Sequence, residues 1–171
     1  MRTRIMSARQ VERTLNRLAY QIMERNRGAV NLVILGILQS GAVLADRLAA
    51  DINRIENHDL HAFGLDTSTY RDDRADDAAD TQQLPDLTDK DVILVDDVLF
   101  TGRTVRAALD AVVTFGRPRS IQLAVLIDRG HREFPIQPDY TGRVMPTKHR
   151  EQVVVQTSPE LGVDVVESQG D

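Results

Sequence analysis

The sequence contains no cysteine and no tryptophan, and aromatic residues make up only 4% of its 171 residues. The lack of cysteine excludes disulfide bonds, thiolate metal sites and a cysteine nucleophile. The scarcity of aromatic side chains argues against a base-stacking platform of the kind that binds single-stranded nucleic acid. Apolar stretches reach about eight residues, far short of the ~20 that a membrane-spanning helix needs, so we expect no membrane partner.

Positive charge is not in excess either, because 21 Lys and Arg face 26 Asp and Glu and give a net charge of −5. That balance excludes an overall charge suited to nucleic acid, while leaving room for a local basic face. Residues 1–5 include two arginines but no apolar region follows them, so we expect no secretory signal and a cytoplasmic protein. The length suits a single domain over residues 1–171, at about 150 residues per domain.

Hydrophobic spacing predicts alternating helices and strands. Ser7 and Gln10 form a capping-box pattern that begins a helix, and this helix ends near Gly28. The apolar run at residues 32–37 is typical of a strand buried on both faces. The same criteria predict helices at 41–55 and 104–113, a weaker strand at 60–65, and strands at 92–95, 121–127, 153–156 and 163–166. Residues 71–90 are rich in aspartate, which predicts a long loop.

This order of elements predicts an α/β fold with an open, mostly parallel twisted sheet flanked by helices. In such sheets, ligands bind beyond the carboxyl ends of the strands. We therefore expect the chemistry in the loops after residues 37, 70, 95 and 127.

The loop after the strand at 92–95 combines groups that suit a phosphorylated ribose. The start of the following helix offers backbone N–H groups to an anion, and Thr101 and Thr104 add hydroxyl donors. Gly102 lets the backbone approach a phosphate closely. Asp96 and Asp97 only accept hydrogen bonds when ionised, so they suit the two hydroxyls of the sugar. An acidic pair before Thr-Gly is also what a simple helix-capping turn contains, and the whole run from 92 to 104 favours the ligand site over that alternative.

The run from Val92 to Thr104 resembles the phosphoribosyl-pyrophosphate (PRPP) motif of type I phosphoribosyltransferases: four apolar residues, two acids, a short spacer and Thr-Gly-Arg-Thr. The resemblance implies an enzyme that joins a nitrogenous base to ribose 5-phosphate and releases pyrophosphate, with Mg²⁺ carried by PRPP rather than bound directly by the protein. It also implies the type I phosphoribosyltransferase fold, with a small hood and a flexible lid loop at about 71–90.

Other stretches are similar to one subfamily, the bacterial PyrR proteins, which are bifunctional pyrimidine-operon regulators and uracil phosphoribosyltransferases. They are residues 66–73, 116–118, 121–136, 139–142 and 146–147. The likeness extends from about Ser7 to Gln156. It implies PRPP, uracil and UMP as ligands, pyrimidine operon leader mRNA as a partner, and a homodimer or higher homo-oligomer.

The resemblance also implies roles for individual residues. Thr101 to Thr104 would hold the 5-phosphate, Asp96 and Asp97 the ribose hydroxyls, and Arg71 the pyrophosphate from the lid. Arg129 and the backbone of Val153 would shape the base side of the pocket, although loop arginines such as Arg71 and Arg129 are often only solvated. The remaining expected substrate-binding residues are Gln39, Ser40, Val98, Leu99, Phe100, Gly102 and Arg103.

The turn after the first apolar strand departs from the family pattern. The family usually has Gly-Ile, a basic residue and Thr-Arg-Gly, whereas this chain has Gly36-Ile37-Leu38-Gln39-Ser40-Gly41. One or two charged contacts to pyrophosphate are therefore lost, at ~1.5–3 kcal/mol each, which predicts a raised Michaelis constant for PRPP. No Lys-Ser/Thr follows Gly41, so a nucleotide-triphosphate P-loop is excluded.

The first predicted helix carries the residues that the resemblance assigns to RNA. They are Arg13, Asn16, Arg17 and Arg27, and the family usually has Thr and His in place of Asn16 and Tyr20. Arginine pairs with phosphates and asparagine reads a base edge. The polar side of any surface helix also carries arginine, so solvated residues are the alternative interpretation.

Two further alternatives stay open. The chain is either a catalytically weak nucleotide-sensing regulator, as the lost charges of the turn would permit, or a purine phosphoribosyltransferase of the hypoxanthine type, since residues 36–41 faintly resemble the turn of those enzymes. Measured turnover distinguishes the enzyme from the catalytically weak regulator. The base that is turned over distinguishes a uracil enzyme from a purine enzyme. The four histidines lack metal-ligand spacing, so we expect no structural zinc site.

Overall fold

The computed structural model describes residues 1–71 and 82–167. In chain order, its elements are β1 (Arg2–Met6), α1 (Ala8–Asn26), β2 (Leu32–Ile37), α2 (Ser40–Glu56), β3 (Ala62–Leu65), β4 (Asp91–Leu99), α3 (Arg103–Val112), β5 (Ser120–Asp128), β6 (Tyr140–Val144), β7 (Glu151–Gln156) and β8 (Gly162–Glu167). Short 3-10 helices occupy Ser68–Tyr70 and Val113–Phe115.

The main sheet has five parallel strands in the order β3-β2-β4-β5-β6. All six residues of β2 and the first six of β4 are buried, as expected for strands covered on both faces. Because the strands are parallel, the carboxyl ends of β2 and β4 meet at one edge of the sheet, where Gly36 pairs with Val95. The predicted α/β class and parallel sheet are confirmed.

Alternate side chains of these strands feed two hydrophobic clusters on opposite faces of the sheet. Ile34 and Ile93 pack with the apolar sides of α1 and α2. Leu35 and Leu94 point to the other face, where α3 covers them together with Leu87. This two-sided core fixes β4 and α3 relative to each other and so positions the loop between them.

A second sheet joins the two ends of the described chain. It is antiparallel, with the order β1-β8-β7, and corresponds to the hood implied by the resemblance. Asp164 on β8 is buried and pairs with Arg2 (2.6 Å) and Arg4 (2.5 Å) of β1. Burial alone would raise the pKa of Asp164, but the hydrogen bonds from both arginines bring this pKa below its usual value.

Most predicted elements are confirmed within a few residues, including the Ser7–Gln10 capping box of α1. The end of the strand predicted at 92–95 was wrong, because β4 continues to Leu99. β1 and β6 were not among the predicted strands. The core of the predicted lid, residues 72–81, lies outside the described residues. No helix in the described part of the chain is long and apolar enough to cross a membrane.

Candidate active site

The two adjacent acids lie within the last residues of β4 rather than in a loop after it. The side chain of Asp96 is buried and accepts a hydrogen bond from the Asp97 amide at 2.9 Å. Asp97 is half-buried, and its carboxylate accepts from the Val98 amide at 2.7 Å. Each carboxylate is thus oriented by a backbone N–H of the strand's own continuation, and neighbouring residues of β4 present them at the carboxyl edge of the sheet.

The loop of residues 100–102, called here the β4–α3 loop, turns the chain from strand to helix. Gly102 has φ of +90°, a conformation that favours glycine, and it directly precedes α3. The side-chain oxygen of Thr101 accepts from the Arg103 amide at 3.3 Å. Backbone N–H groups at the first turn of α3 lie beside this loop, which gives the loop the character of an anion site.

A cavity of about 210 Å³ opens between the end of β4 and the start of α3. All residues around it except Val105 are on the predicted site list: Arg71, Asp96, Val98, Leu99, Phe100, Thr101, Gly102, Arg103 and Thr104. The structure therefore brings the buried acid, the loop donors and Arg71 around one space. Arg71 is exposed and lines this cavity from the position that directly follows the 3-10 helix Ser68–Tyr70 and precedes residues 72–81.

The turn between β2 and α2 packs directly against the end of β4. A Cβ atom on Gly41 would lie 2.5 Å from the Val95 carbonyl oxygen and 3.3 Å from Asp96 Cα. Only glycine therefore permits this approach. Gln39 and Ser40 stand at the N-terminus of α2, with Gln39 exposed and Ser40 half-buried. The structure places the predicted pyrophosphate turn next to the acids, although neither residue lines the cavity itself.

Arg129 differs from a solvated loop arginine. It is 5% exposed, its guanidinium lies 4.0 Å from the centroid of the Phe100 ring, and it donates to Thr147 Oγ1 at 2.9 Å and to the Lys148 carbonyl at 3.1 Å. Burial lowers the pKa of Arg129 from its usual value. It thus joins the β4–α3 loop to the segment before β7. Val153 lies on β7, half-buried against the core, and it is not among the residues that line the cavity.

Burial in β4 raises the pKa of Asp96 well above its usual range, and the adjacent Asp97 carboxylate adds to this shift. The free protein thus holds a destabilised acid at the edge of the cavity. Such a perturbed carboxyl group in a cleft is typical of a functional site, since a fold gains nothing from burying it.

We expect Asp96→Asn to stabilise the free protein at neutral pH. Folding raises the pKa of Asp96. The contribution of Asp96 to the free energy of unfolding therefore falls as the pH rises from the ordinary aspartate pKa of about 3.9 to the raised pKa. Asparagine keeps the acceptor for the Asp97 amide without the buried charge, so the gain is about 1 kcal/mol, or about 2–4 °C in Tm. Thermal unfolding of both proteins between about pH 4 and pH 8 measures it. The gain should shrink toward the acidic end, and equal Tm values at neutral pH would contradict a buried carboxylate.

The acids fit a Mg²⁺ ion that arrives with its substrate. Among the residues that the structure describes, no three His, Asp or Glu side chains form a metal-binding group. Mg²⁺ prefers six oxygen ligands and is commonly held by one or two carboxylates plus substrate phosphates. Asp96 and Asp97 would face such an ion across the ribose hydroxyls and waters of the bound substrate, which agrees with a Mg²⁺ carried by the substrate rather than held directly by the protein.

A groove of about 800 Å³ separates the outer faces of α1 and α2, and we call it the α1–α2 groove. Of the residues predicted for RNA, Arg13 and Asn16 line it. Arg17 instead donates to the Gly142 carbonyl at 2.6 Å, and Arg27 ends α1 with φ of +54°. The groove also contains residues that the sequence analysis did not assign to RNA: Arg9, Glu12, Tyr20, Arg47, Asp51 and Arg54.

Two histidines that the sequence analysis treated as scattered lie together. The rings of His131 and His149 are 5.2 Å apart, and both lie 5.7 Å from the Phe100 ring. No spacing signal pointed to this contact, because the two residues meet only through the fold. They pack around the β4–α3 loop rather than forming a metal site.

Comparison with known proteins agrees with this geometry. A family model described as a phosphoribosyl transferase domain matches residues 1–158. The chain is 49% identical over 168 residues to the bifunctional protein PyrR of Deinococcus radiodurans, which covers 95% of this chain and 92% of that protein. It is 51% identical over 158 residues to the bifunctional protein PyrR of Limosilactobacillus reuteri, covering 88% and 89%.

Solved structures confirm the fold. The hypoxanthine phosphoribosyltransferase of Trypanosoma cruzi has a TM-score of 0.76 at 19% identity and covers 98% of this chain and 97% of that one. The Staphylococcus aureus hypoxanthine phosphoribosyltransferase has a TM-score of 0.70 at 20% identity, covering 87% and 79%. At these identities the likeness concerns the fold alone, whereas the matches to PyrR proteins extend over nearly the whole sequence. The chain belongs to the phosphoribosyl transferase family and, within it, to the PyrR proteins.

Proposed function

We propose that this chain transfers the phosphoribosyl group of PRPP to uracil, forming UMP and diphosphate. The observation that carries the proposal is the single cavity bordered by the end of β4, the β4–α3 loop and the start of α3. It places anion-binding N–H groups and hydroxyls beside the Asp96 carboxylate, with Asp97 next to it in β4 although outside the cavity lining, and this combination suits a phosphorylated ribose. The identity to proteins named bifunctional protein PyrR supports a pyrimidine as the acceptor.

In the proposed reaction, Thr101 to Thr104 hold the 5-phosphate, while Asp96 and Asp97 accept hydrogen bonds from the ribose hydroxyls. The bond from the anomeric carbon to diphosphate breaks with its electron pair leaving on the diphosphate, N1 of uracil bonds to that carbon, and the N1 proton is released to solvent. Positive charge develops on the ribose in an oxocarbenium-like transition state, so positioned carboxylates stabilise it. Mg²⁺ bound with PRPP neutralises part of the diphosphate charge.

Arg71 and the turn after β2 face the leaving group. Arg71 offers a fork of N–H donors, which suits bidentate contact with diphosphate oxygens. Gln39 and Ser40 contribute backbone donors at the N-terminus of α2 and no positive side-chain charge. Arg129, with Phe100 against it, and the Val153 backbone form the base side of the site.

Pyrophosphate release from PRPP and Mg²⁺, with uracil, hypoxanthine or guanine offered separately, tests this function. We expect turnover with uracil alone. Turnover with a purine and none with uracil would identify a purine phosphoribosyltransferase. Saturable UMP binding without turnover of any base would identify a nucleotide-sensing regulator, and either result would overturn the proposed catalytic function.

Ser40→Arg should lower the Michaelis constant for PRPP about tenfold. A guanidinium at the first residue of α2 adds a charge-assisted contact to pyrophosphate, worth ~1.5–3 kcal/mol. Steady-state kinetics with PRPP varied at saturating uracil measures the change. Val30→Arg is the matched control, because it adds the same charge at an 80% exposed position before β2, at the opposite end of the sheet. An unchanged constant in Ser40→Arg would contradict the assignment of this turn to pyrophosphate.

The second proposed activity is regulation of pyrimidine operons through leader mRNA, in response to uridine nucleotides. Four arginines (Arg9, Arg13, Arg47 and Arg54) line the α1–α2 groove with Asn16, against two acids, Glu12 and Asp51, of which Asp51 pairs with Arg54 at 2.6 Å, so the groove keeps an excess of positive charge on an acidic chain. Arginine contacts RNA phosphates in a salt-dependent manner, and asparagine reads base edges. Gel retardation of the chain's own operon leader RNA at low salt, with UMP present, tests this. We expect Arg13→Gln to weaken retardation, and no retardation by the wild type would exclude the activity.

A further inference from the structure

The segment of residues 128–136, which follows β5, lies against the β4–α3 loop along its length. The amides of Glu133 and Phe134 both donate to the Thr101 carbonyl, at 2.9 and 3.1 Å. The Arg103 side chain donates to Glu133 at 2.6 Å. Gly102 faces Phe134 closely enough that an added Cβ would be 3.4 Å from Phe134 Cβ. The loop is therefore shaped from outside by this segment as well as by its own sequence.

Within the 128–136 segment, the Arg132 side chain forms hydrogen bonds to three separate parts of the chain. Its guanidinium donates to the Phe100 carbonyl at 3.2 Å, to the Ile136 carbonyl at 2.8 Å and to Asp128 Oδ2 at 2.7 Å. Its side chain is only 19% exposed. These three contacts join the end of β5, the beginning of the β4–α3 loop and the far end of the 128–136 segment through one planar group.

We propose that Arg132 is a positioning residue of the phosphoribosyl site, which holds the Phe100 carbonyl so that the amides of residues 101–104 face the 5-phosphate. This role rests on the proposed function of the β4–α3 loop. Arg132 itself lies outside the set of residues that line the cavity, so it acts through the backbone and not by touching PRPP.

The geometry requires the shape of arginine as well as its charge. A guanidinium has five donors in a fixed fork, so it serves a carboxylate and two carbonyls together, whereas a lysine ammonium is a flexible point charge. Arg132 also influences the charge of Asp128. Burial would raise the pKa of Asp128, but the hydrogen bonds from Arg132 and from the Gly130 amide bring this pKa below its usual value. Lysine should preserve part of this pairing and lose the bond to Phe100.

The test compares Arg132→Gln and Arg132→Lys with Arg25→Gln as the matched control. Arg25 forms an Arg–Asp pair of the same 2.7 Å length with Asp139, on α1 and away from the β4–α3 loop. Hydrogen exchange without ligand should be about tenfold faster in Arg132→Gln at two amides that donate to carbonyls of the loop, Phe134 to Thr101 and Arg106 to Gly102, and unchanged there in Arg25→Gln. Calorimetry should show PRPP with Mg²⁺ bound about tenfold more weakly, since small misplacements of binding groups are costly. Arg132→Lys should lie between.

Kinetics adds a readout that general destabilisation would not move: in Arg132→Gln the Michaelis constant for PRPP should rise about tenfold and that for uracil should stay within about twofold. The proposal is overturned if exchange at the Phe134 and Arg106 amides is unchanged, if both Michaelis constants rise equally, or if Arg132→Lys behaves like the wild type, which would reduce the role to the Asp128 pair. If the wild type does not turn over uracil, the proposed function fails, while the exchange and PRPP titration still decide the role of Arg132.

Discussion

Replacing Gly41 by alanine should lower uracil phosphoribosyl transfer at least about a hundredfold. The added methyl would lie 2.5 Å from the Val95 carbonyl oxygen, which belongs to a buried strand and cannot move aside. The turn between β2 and α2 must therefore shift away from the acids, and displacements of about 1 Å in a site cost about a hundredfold in rate. Overpacking of this kind also costs ~1–3 kcal/mol of stability. Steady-state kinetics and thermal unfolding of the variant measure both effects.

Gly28→Ala is the control for the general cost of replacing glycine. Gly28 has φ of +116° at the end of α1, and an added Cβ would meet no atom closer than 4.0 Å. We expect it to lose stability through backbone strain and to keep the Michaelis constant for PRPP. If Gly41→Ala retained wild-type kinetics, the close packing of the turn against β4 would have no part in catalysis.

The double substitution Asp96→Asn, Asp97→Asn should lower kcat/KM by a factor of about 10² to 10⁴. Each carboxylate provides charge-assisted hydrogen bonds worth ~1.5–3 kcal/mol, and both oppose the positive charge of the transition state. The amides keep the shape of the side chains, so the loss arises from charge. Pyrophosphate release at saturating and limiting PRPP separates binding from chemistry.

Asp110→Asn provides the comparison for this pair, because Asp110 forms an exposed ion pair with Arg106 on α3, outside the cavity. It should leave turnover unchanged. Thermal stability is informative too: the double variant should be no less stable than the wild type at neutral pH, since it removes the buried charge of Asp96. A loss of less than about tenfold in kcat/KM would show that the acids do not contact the reacting ribose.

The sequence predicted the central sheet and the β4–α3 loop because both depend on local signals. The apolar run at 32–37 and the one beginning at Val92 leave no polar side for solvent, which is diagnostic of buried parallel strands. The loop carries its chemistry in consecutive residues, so proximity in sequence is proximity in space. The length of β4 was the exception. Asp96 and Asp97 look like the end of a strand, yet pairing with β5 continues beyond them, with Val98 of β4 opposite Ile127 of β5.

β1 and β6 could not be predicted because their stability depends on distant partners. β1 alternates arginine with other residues, and its arginines are held by Asp164, about 160 positions away in the sequence. β6 is an edge strand whose residues are mostly half-buried or exposed, so it lacks an apolar run. Hydrogen bonds to a neighbouring strand, rather than local preference, make both segments extended.

The same limit applies to the site. Nothing in the run Asp128-Arg129-Gly130-His131-Arg132 distinguishes a buried arginine over Phe100 from a solvated one. Arg132 was missed as well, because its contact with the Phe100 carbonyl joins residues that are 32 positions apart in the sequence. The α1–α2 groove likewise combines residues of two helices, and only the α1 side carried a prediction.

A crystal structure of the UMP complex would locate the phosphate and the base at once, and so test the assignment of the β4–α3 loop to phosphoribosyl transfer. We expect phosphate oxygens at about 2.7–3.2 Å from the backbone amides of residues 101–104, and ribose hydroxyls against Asp96 and Asp97. We also expect the uracil ring on the side of Arg129 and Val153. A nucleotide bound elsewhere, with its phosphate in the α1–α2 groove and the β4–α3 loop empty, would contradict the assignment of this loop to phosphoribosyl transfer.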